Sequence, residues 1–338
     1  MRIQAIVKRV TRQFLRDKRS IALMMVAPLL VMTLLWLVLD MEDYIPTIAV
    51  TDAPAPLSEA LEEQDAAILE TDASHGKEAL ANEDADAHLL FDNNQPELTM
   101  EGSNPTATSA VQNVISSAVK QLNPNAPDLD VSFLHGSSDL NLFDNTGSVL
   151  IGFFVFFFVF IIGGVSFLRE RTQGTLERMM ATPLRRWEIV AGYLLGFGIF
   201  IVIQSIIIAA FSIYVLDIYM AGSFLSVLVT AFLLAITALS LGTLLSAYAK
   251  NEFQMIQFIP VVIVPQVFFS GVFPIESVEW IDAIGKIMPL TYGADALKAI
   301  MIRGEGLSAV TVDIAVLIGF SAAFIILNII ALKRHRTL

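Results

Sequence analysis

Eight charged residues gather in positions 169–190, five basic and three acidic, between two of the longest uncharged apolar runs of the chain, 148–168 and 191–216. They are the residues best placed to do chemistry, and that chemistry is ionic contact rather than bond making. Glu170, Arg171, Glu177 and Arg178 can each form charge-assisted hydrogen bonds with a partner surface. Leu176, Met179 and Met180 recur at helical spacing after Gly174, and Pro183 stops the run, so the spacing predicts a short amphipathic helix of about two turns. A helix of this kind between two membrane-length runs implies contact with something outside the membrane. An ordinary basic inner loop would carry the same charges.

Other chemistry is excluded by what is missing. There is no G-x-x-x-x-G-K-[ST] loop, so the chain lacks the usual means of binding and hydrolysing ATP. It has no cysteine, and its four histidines, His75, His88, His135 and His335, all lie outside the apolar runs, which excludes an intramembrane His or Cys metal site. No nucleophile–base pair or carboxylate pair supports an intramembrane enzyme. The apolar runs carry no ionisable side chain, which disfavours a proton- or sodium-driven pump. They do carry amides, Gln204, Gln257, Gln266 and Asn328, which either tie helices together or line a path. Phe153, Phe154, Phe156, Phe157, Phe158 and Phe160 make one run unusually aromatic, for lipid or subunit packing or as a wall for an amphiphilic substrate.

The elements that must position these residues follow from composition. Of 338 residues 55% are apolar and 16% charged, against about 25% charged in soluble domains, so this is an integral membrane protein. Six runs reach membrane length: 20–39, 148–168, 191–216, 221–249, 253–274 and 314–332. Residues 2–19 hold seven basic residues and one acid, Asp17, with Ile3, Ile6, Val7, Val10 and Phe14 on the opposite side. That segregation predicts a helix over 1–19 in the inner interface, apolar face in lipid and cations toward headgroups, although a plain basic tail would set topology equally well. Residues 40–147 carry 21 acids against Lys77 and Lys120 and are expected outside. Ile45–Val50 reads as a strand, Leu57–Leu69 as a helix, Ala87–Phe91 and Glu97–Met100 as strands and Thr106–Leu122 as a helix, a small α+β domain. Both termini, including Lys333-Arg334-His335-Arg336, then lie in the cytoplasm beside the 169–190 island and the Lys250-Asn251-Glu252 turn. Gly192 and Gly196 form a small-xxx-small pair for close helix approach. Pro260 and Pro265 interrupt the fifth run, and 275–311 reads as two short helices dipping into the outer leaflet or lying on its surface.

Several of these stretches together resemble the permease subunits of type-2 ABC exporters. They are Gly174-Thr175-Leu176-Glu177 with Thr182-Pro183, the run Phe268-Phe269-Ser270-Gly271-Val272-Phe273-Pro274, Trp280, Met288-Pro289-Leu290-Thr291-Tyr292, Asp295-Ala296-Leu297-Lys298 and Ile302-Arg303-Gly304. The likeness is nearest the bacterial drug-export branch with a large domain after the first span, and Lys298 stands where that family often has arginine. The resemblance implies an all-α membrane domain of six helices with an inserted α+β extracytoplasmic domain. It implies a dimer with a second copy or a sister permease in the cell membrane, each half docking a separate ABC ATP-binding subunit that holds ATP and Mg, with no cofactor or nucleic acid on this chain. Glu170, Arg171, Gly174, Thr175, Leu176, Glu177, Arg178 and Pro183 would couple to the ATPase, braced by the N-terminal helix. Phe153, Phe157, Phe160, Gln257, Gln266 and Phe268 would line the substrate path, and the hairpin 275–303, with Pro274 just before it and Trp280, Pro289 and Tyr292 within it, would form the outer gate. A membrane-anchored receptor acting through 40–147 is the alternative of a different class.

Overall fold

The computed structural model describes residues 2–39, 45–64, 66–82, 84–92, 95–100, 105–122, 142–270 and 283–334. The chain divides into two compact units, Met41–Ser132 and the remainder. Two helices come first, α1 (Arg2–Arg16) and α2 (Lys18–Leu39). They part at Asp17, whose carboxylate accepts from the Ser20 amide at 3.2 Å and the Ser20 hydroxyl at 2.7 Å and so starts α2. The Ser20 hydroxyl, more than any other group, holds the Asp17 carboxyl below its ordinary range.

The smaller unit is built on a four-stranded sheet of order β2-β1-β3-β4. Its elements are β1 (Thr47–Thr51), α3 (Ala55–Glu62), β2 (Ala67–Glu70), α4 (Ala73–Ala81), β3 (Ala87–Asp92), β4 (Gln95–Met100) and α5 (Pro105–Leu122). β1 pairs in parallel with β2 and β3, so a helix must cross over after β1 and after β2. The sequence reading carried one helix from Leu57 to Leu69 and missed α4. Helix α3 instead stops at Glu62, and Ala67–Glu70 joins the edge of the sheet, because a four-residue apolar run takes its form from the strand beside it. Ile48, Val50, Leu57, Leu61, Leu89 and Val111 make the core on the α3 and α5 side. On the other side α4 lies close enough that a Cβ on Gly76 would enter the His88 ring.

His88 is 2% exposed, with Nε2 3.0 Å from the Thr51 hydroxyl. That hydroxyl donates to the Thr71 carbonyl at 2.9 Å, so its oxygen is left to accept from His88 Nε2–H. Burial is the main cause that lowers the proton affinity of this ring. The unfolded chain therefore binds the proton more readily, and stability of this unit is full above about pH 6.5 and falls as the pH drops below it. Hydrogen exchange at β1 and β3 in the full chain, corrected for intrinsic rates, is expected to show protection lost in that window. His88→Gln is expected to flatten the profile; an unchanged profile would assign the loss to another group.

In the larger unit the remaining elements are α6 (Leu142–Thr172), α7 (Thr175–Met180), α8 (Arg186–Tyr214), α9 (Phe224–Ser246), α10 (Glu252–Ile256), a π-helical turn (Ile259–Ile263), α11 (Val264–Phe268), α12 (Pro289–Met301) and α13 (Thr311–Arg334). Among the described residues five helices, α2, α6, α8, α9 and α13, are long and apolar enough to cross a membrane. The run read as interrupted at Pro260 and Pro265 stays helical over Glu252–Phe268 but changes form there: neither proline can donate to the helical ladder, and the π turn Ile259–Ile263 contains Pro260 and passes into α11 just before Pro265. Residues 271–274 lie outside the described residues. The apolar segment there, Glu252–Phe268, is shorter than the other five.

Helix α6 is the centre of this unit, packed on α9, α12, α2 and α8. Glycine sets the α6–α9 distance. A Cβ on Gly242 would collide with the Phe160 carbonyl, and one on Gly164 would lie 3.0 Å from the Gly242 oxygen. Along the other side of α9, Asn328 of α13 donates to the Ser240 carbonyl at 2.8 Å and Thr237 shares a hydrogen bond of 2.7 Å with Ser321. Helix α12 lies inside this packing, with Gly293 against Leu234 and Leu297 against Gly152. It penetrates the helix bundle rather than lying on a surface.

Helix α1 departs from expectation in one respect. Its apolar face is covered by protein: Ile6 rests on Gly192, Val10 on Gly196, and Phe14 stacks near Phe197 and Phe200 of α8. The two glycines that predicted close approach do so, with α1 as the partner.

Candidate functional site

The charged island folds as a turn, a short helix and a second turn. Helix α6 ends at Thr172, and Gly174 follows at φ 70°, a left-handed backbone that a side chain would strain. Helix α7 is anchored by Leu176, which is fully buried. Arg178 donates to the Thr175 hydroxyl at 3.2 Å, and the Thr182 hydroxyl donates to the Met179 carbonyl at 2.6 Å before Pro183. Helix α8 then starts with a capping contact, the Arg185 amide donating to Glu188 at 2.6 Å. Glu177, Arg178, Thr182, Pro183, Arg185 and Trp187 remain exposed.

The island is held from three sides. Arg9 of α1 pairs with Glu170 at 2.5 Å and also meets the Met179 sulfur at 3.0 Å. Arg2 donates to the Pro183 carbonyl at 2.9 Å. Arg171 donates to the carbonyls of Ala247 and Ala249, at the end of α9. Beside it Arg169 reaches Glu252 at 2.6 Å and Asp17 at 3.2 Å, joining α6 to the start of α10 and to the α1–α2 break. Glu170 and Arg171, expected to touch a partner, are thus engaged within the chain, because the last turns of α6 face α1 and α9 rather than solvent. Arg9, Asp17, Arg169 and Glu252 were missed as members of this group. One signal was available: Asp17 is the lone acid among seven basic residues.

Glu170 is 3% exposed and lies 2.5 Å from Arg9. Glu170→Ala leaves Arg9 without its acidic partner, and the expected loss of stability is on the order of 2 kcal/mol, below the figure for a fully buried pair because Arg9 is partly solvated. Thermal unfolding of the single variants and of Arg9→Ala with Glu170→Ala closes the cycle. Additive losses would mean that the pair contributes no coupling.

The expected path residues separate. Phe153 and Phe157 lie partly buried together on α6, rings 5.5 Å apart. Phe160 is fully buried with its backbone against Gly242, so it belongs to the α6–α9 contact and does not line a path. Gln266 is likewise withdrawn: it donates to the Val262 carbonyl at 3.1 Å and accepts from the Leu290 amide at 3.3 Å, linking α11 to the start of α12. Gln257 and Phe268 are exposed, in a row with Phe253, Ile256, Val261 and Val264. Gln204 is fully buried in α8 with neither amide atom partnered among the described residues, contrary to the expected interhelical bond. Of the expected gate, Pro289 starts α12 and is buried, and the Tyr292 hydroxyl donates to the Lys286 carbonyl at 2.8 Å. Pro274 and Trp280 lie outside the described residues.

A family model described as ABC-2 family transporter protein matches residues 18–330. The chain belongs to this ABC-2 family. Among curated proteins, this ABC-2 chain is 26% identical over 246 residues to ABC transporter G family member 20 of Dictyostelium discoideum, covering 71% of the chain and 33% of that relative. It is 29% identical to the probable multidrug ABC transporter permease YbhR of Escherichia coli over 45% of the chain and 42% of the relative, and 25% identical to YbhS over 49% and 45%. The chain thus spans a third to under half of the length of these curated relatives. As an ABC-2 transporter permease with several apolar helices, it is a multi-pass membrane protein.

Proposed function

We propose that the chain is the transmembrane subunit of an ATP-driven exporter of the bacterial drug-export type, carrying hydrophobic or amphiphilic compounds out of the cell. The carrying observation is the exposed end of α7. Glu177, Arg178 and Pro183 project from a turn tied to α1 through Glu170 and Pro183, and to the end of α9 through Arg171. A surface so tied moves with the helices it is attached to, as a lever must. The ATP-binding subunit, holding ATP and Mg, docks there on the cytoplasmic side. Both termini lie on that side of the cell membrane, and residues 40–147 are extracytoplasmic. The fifth span, Glu252–Phe268, presents Phe253, Ile256, Gln257, Val261, Val264 and Phe268 to a second permease across the dimer axis, with Phe153 and Phe157 on the path. Nucleotide-driven closure of the ATPases alternates access along that axis. The multidrug names of YbhR and YbhS support the substrate class.

The test is affinity purification of the tagged chain after crosslinking in cells, with mass identification of its partners and an ATPase assay. A stoichiometric P-loop subunit, lost when 169–190 is scrambled, is the expected result. A preparation free of any ATPase would overturn the reading and direct attention to the sheet unit.

A further inference from the structure

With its apolar side covered by α8, helix α1 turns a row of cations outward. Lys8, Arg12 and Arg16 follow one another at four-residue spacing and are exposed, and Arg19 continues the row at the start of α2. Together with Ala5, Arg9 and Gln13, the first three line an open concavity of about 660 Å³ that contains no carboxylate. Arg9 is occupied by Glu170; Lys8, Arg12, Arg16 and Arg19 have no acidic partner among the described residues. Four like charges on one surface repel, and an anion seated among them removes that cost.

The neighbouring apolar surface decides which anion. Leu15 is 56% exposed beside the cations, and past Arg19 a row of exposed side chains runs up α2 through Leu23, Val26, Leu30 and Leu34, each at least half exposed. A soluble phosphate would satisfy the cations and leave this row bare. An acidic protein partner would also have to cover a membrane-length hydrophobic surface. We propose that α1 and the first turns of α2 form a binding site for one anionic phospholipid, its headgroup phosphate among Lys8, Arg12, Arg16 and Arg19 and its acyl chains along Leu23, Val26 and Leu30. Such a lipid fixes α1 from outside as Glu170 fixes it from within, and so ties the position of the island to the charge of the inner leaflet.

The full chain in mild detergent, offered equal amounts of phosphatidylglycerol and phosphatidylcholine, is read by native mass spectrometry for lipid retained. Retention of phosphatidylglycerol is expected in excess of about tenfold, because each cation near a headgroup is worth roughly a fivefold preference. Lys8→Gln with Arg12→Gln and Arg16→Gln cuts the preference to the roughly fivefold that Arg19 alone supplies, and Arg12→Gln alone, if the triple variant does not fold, reduces it about fivefold. Arg185→Gln with Arg186→Gln, a loss of charge elsewhere on the same side, leaves it intact. Excess inorganic phosphate does not displace the lipid. Equal retention of both lipids, a preference undiminished in the triple variant, an equal loss in the control variant or ready displacement by phosphate would each overturn the proposal; the last would make this a simple anion site. None of these readouts depends on an ATPase partner or on transport.

Discussion

Gly242→Leu is expected to leave little folded protein. At this point α9 approaches α6 so closely that even a first side-chain carbon would meet the Phe160 carbonyl, and the opposing face is Gly164, itself without room. Extra methylenes in a well-packed core usually cost about 1–3 kcal/mol when side chains can shift. Here the obstacle is backbone, so separation of the two helices is the available response, and the cost lies at or beyond the top of that range. A total stability of about 5–15 kcal/mol leaves little margin for such a loss. The melting temperature and yield in detergent report it directly. Gly198→Leu is the control, because a Cβ there meets nothing within 4 Å. If Gly242→Leu melted like the wild type, the close crossing of α6 and α9 would be wrong, and the place of Phe160 in it as well.

Glu177→Lys together with Arg178→Glu is expected to abolish export while leaving the melting temperature unchanged. Both side chains are exposed, and Arg178 contacts only the neighbouring Thr175 hydroxyl among the described residues, so the fold loses almost nothing. A docked partner, by contrast, would face two inverted charges. Truncating one member of a hydrogen-bonded interfacial charge pair costs about 2–5 kcal/mol, which corresponds to at least about thirtyfold in affinity, and reversal adds repulsion. Export, ATPase stimulation and co-purification of the ATP-binding subunit are expected to fall together. Unchanged export would remove α7 as the docking element, whatever the rest of the chain does.

How far these sites were legible varied with the physics behind each. Long apolar runs report membrane helices by length alone, and all five long helices lie on runs read as spans. The island was legible because charge between two such runs has few explanations. Its inner half was not: Glu170 and Arg171 look the same in sequence as Glu177 and Arg178, and which pair faces inward depends on where α6 ends and on α1, far away in the chain. The amides show the same limit. Asn328 found a carbonyl across the helix interface, Gln266 found the start of α12, and Gln204 found none among the described residues, a difference set by the neighbours each helix acquired. In the sheet unit, Ala67–Glu70 could not be told from the end of a helix until β1 lay beside it.

The cover on α1 has a consequence for biosynthesis. Arg9 and Glu170 are 161 residues apart, and the glycines that receive Ile6 and Val10 come later still. At about 5–20 residues per second a ribosome needs roughly 10 to 40 s to supply them. During that interval Ile6, Val10 and Phe14 have no protein to cover them, and the inner leaflet is the apolar phase within reach. The amphipathic pattern thus suits α1 to two successive surroundings, lipid while the chain is being made and α8 once it is complete.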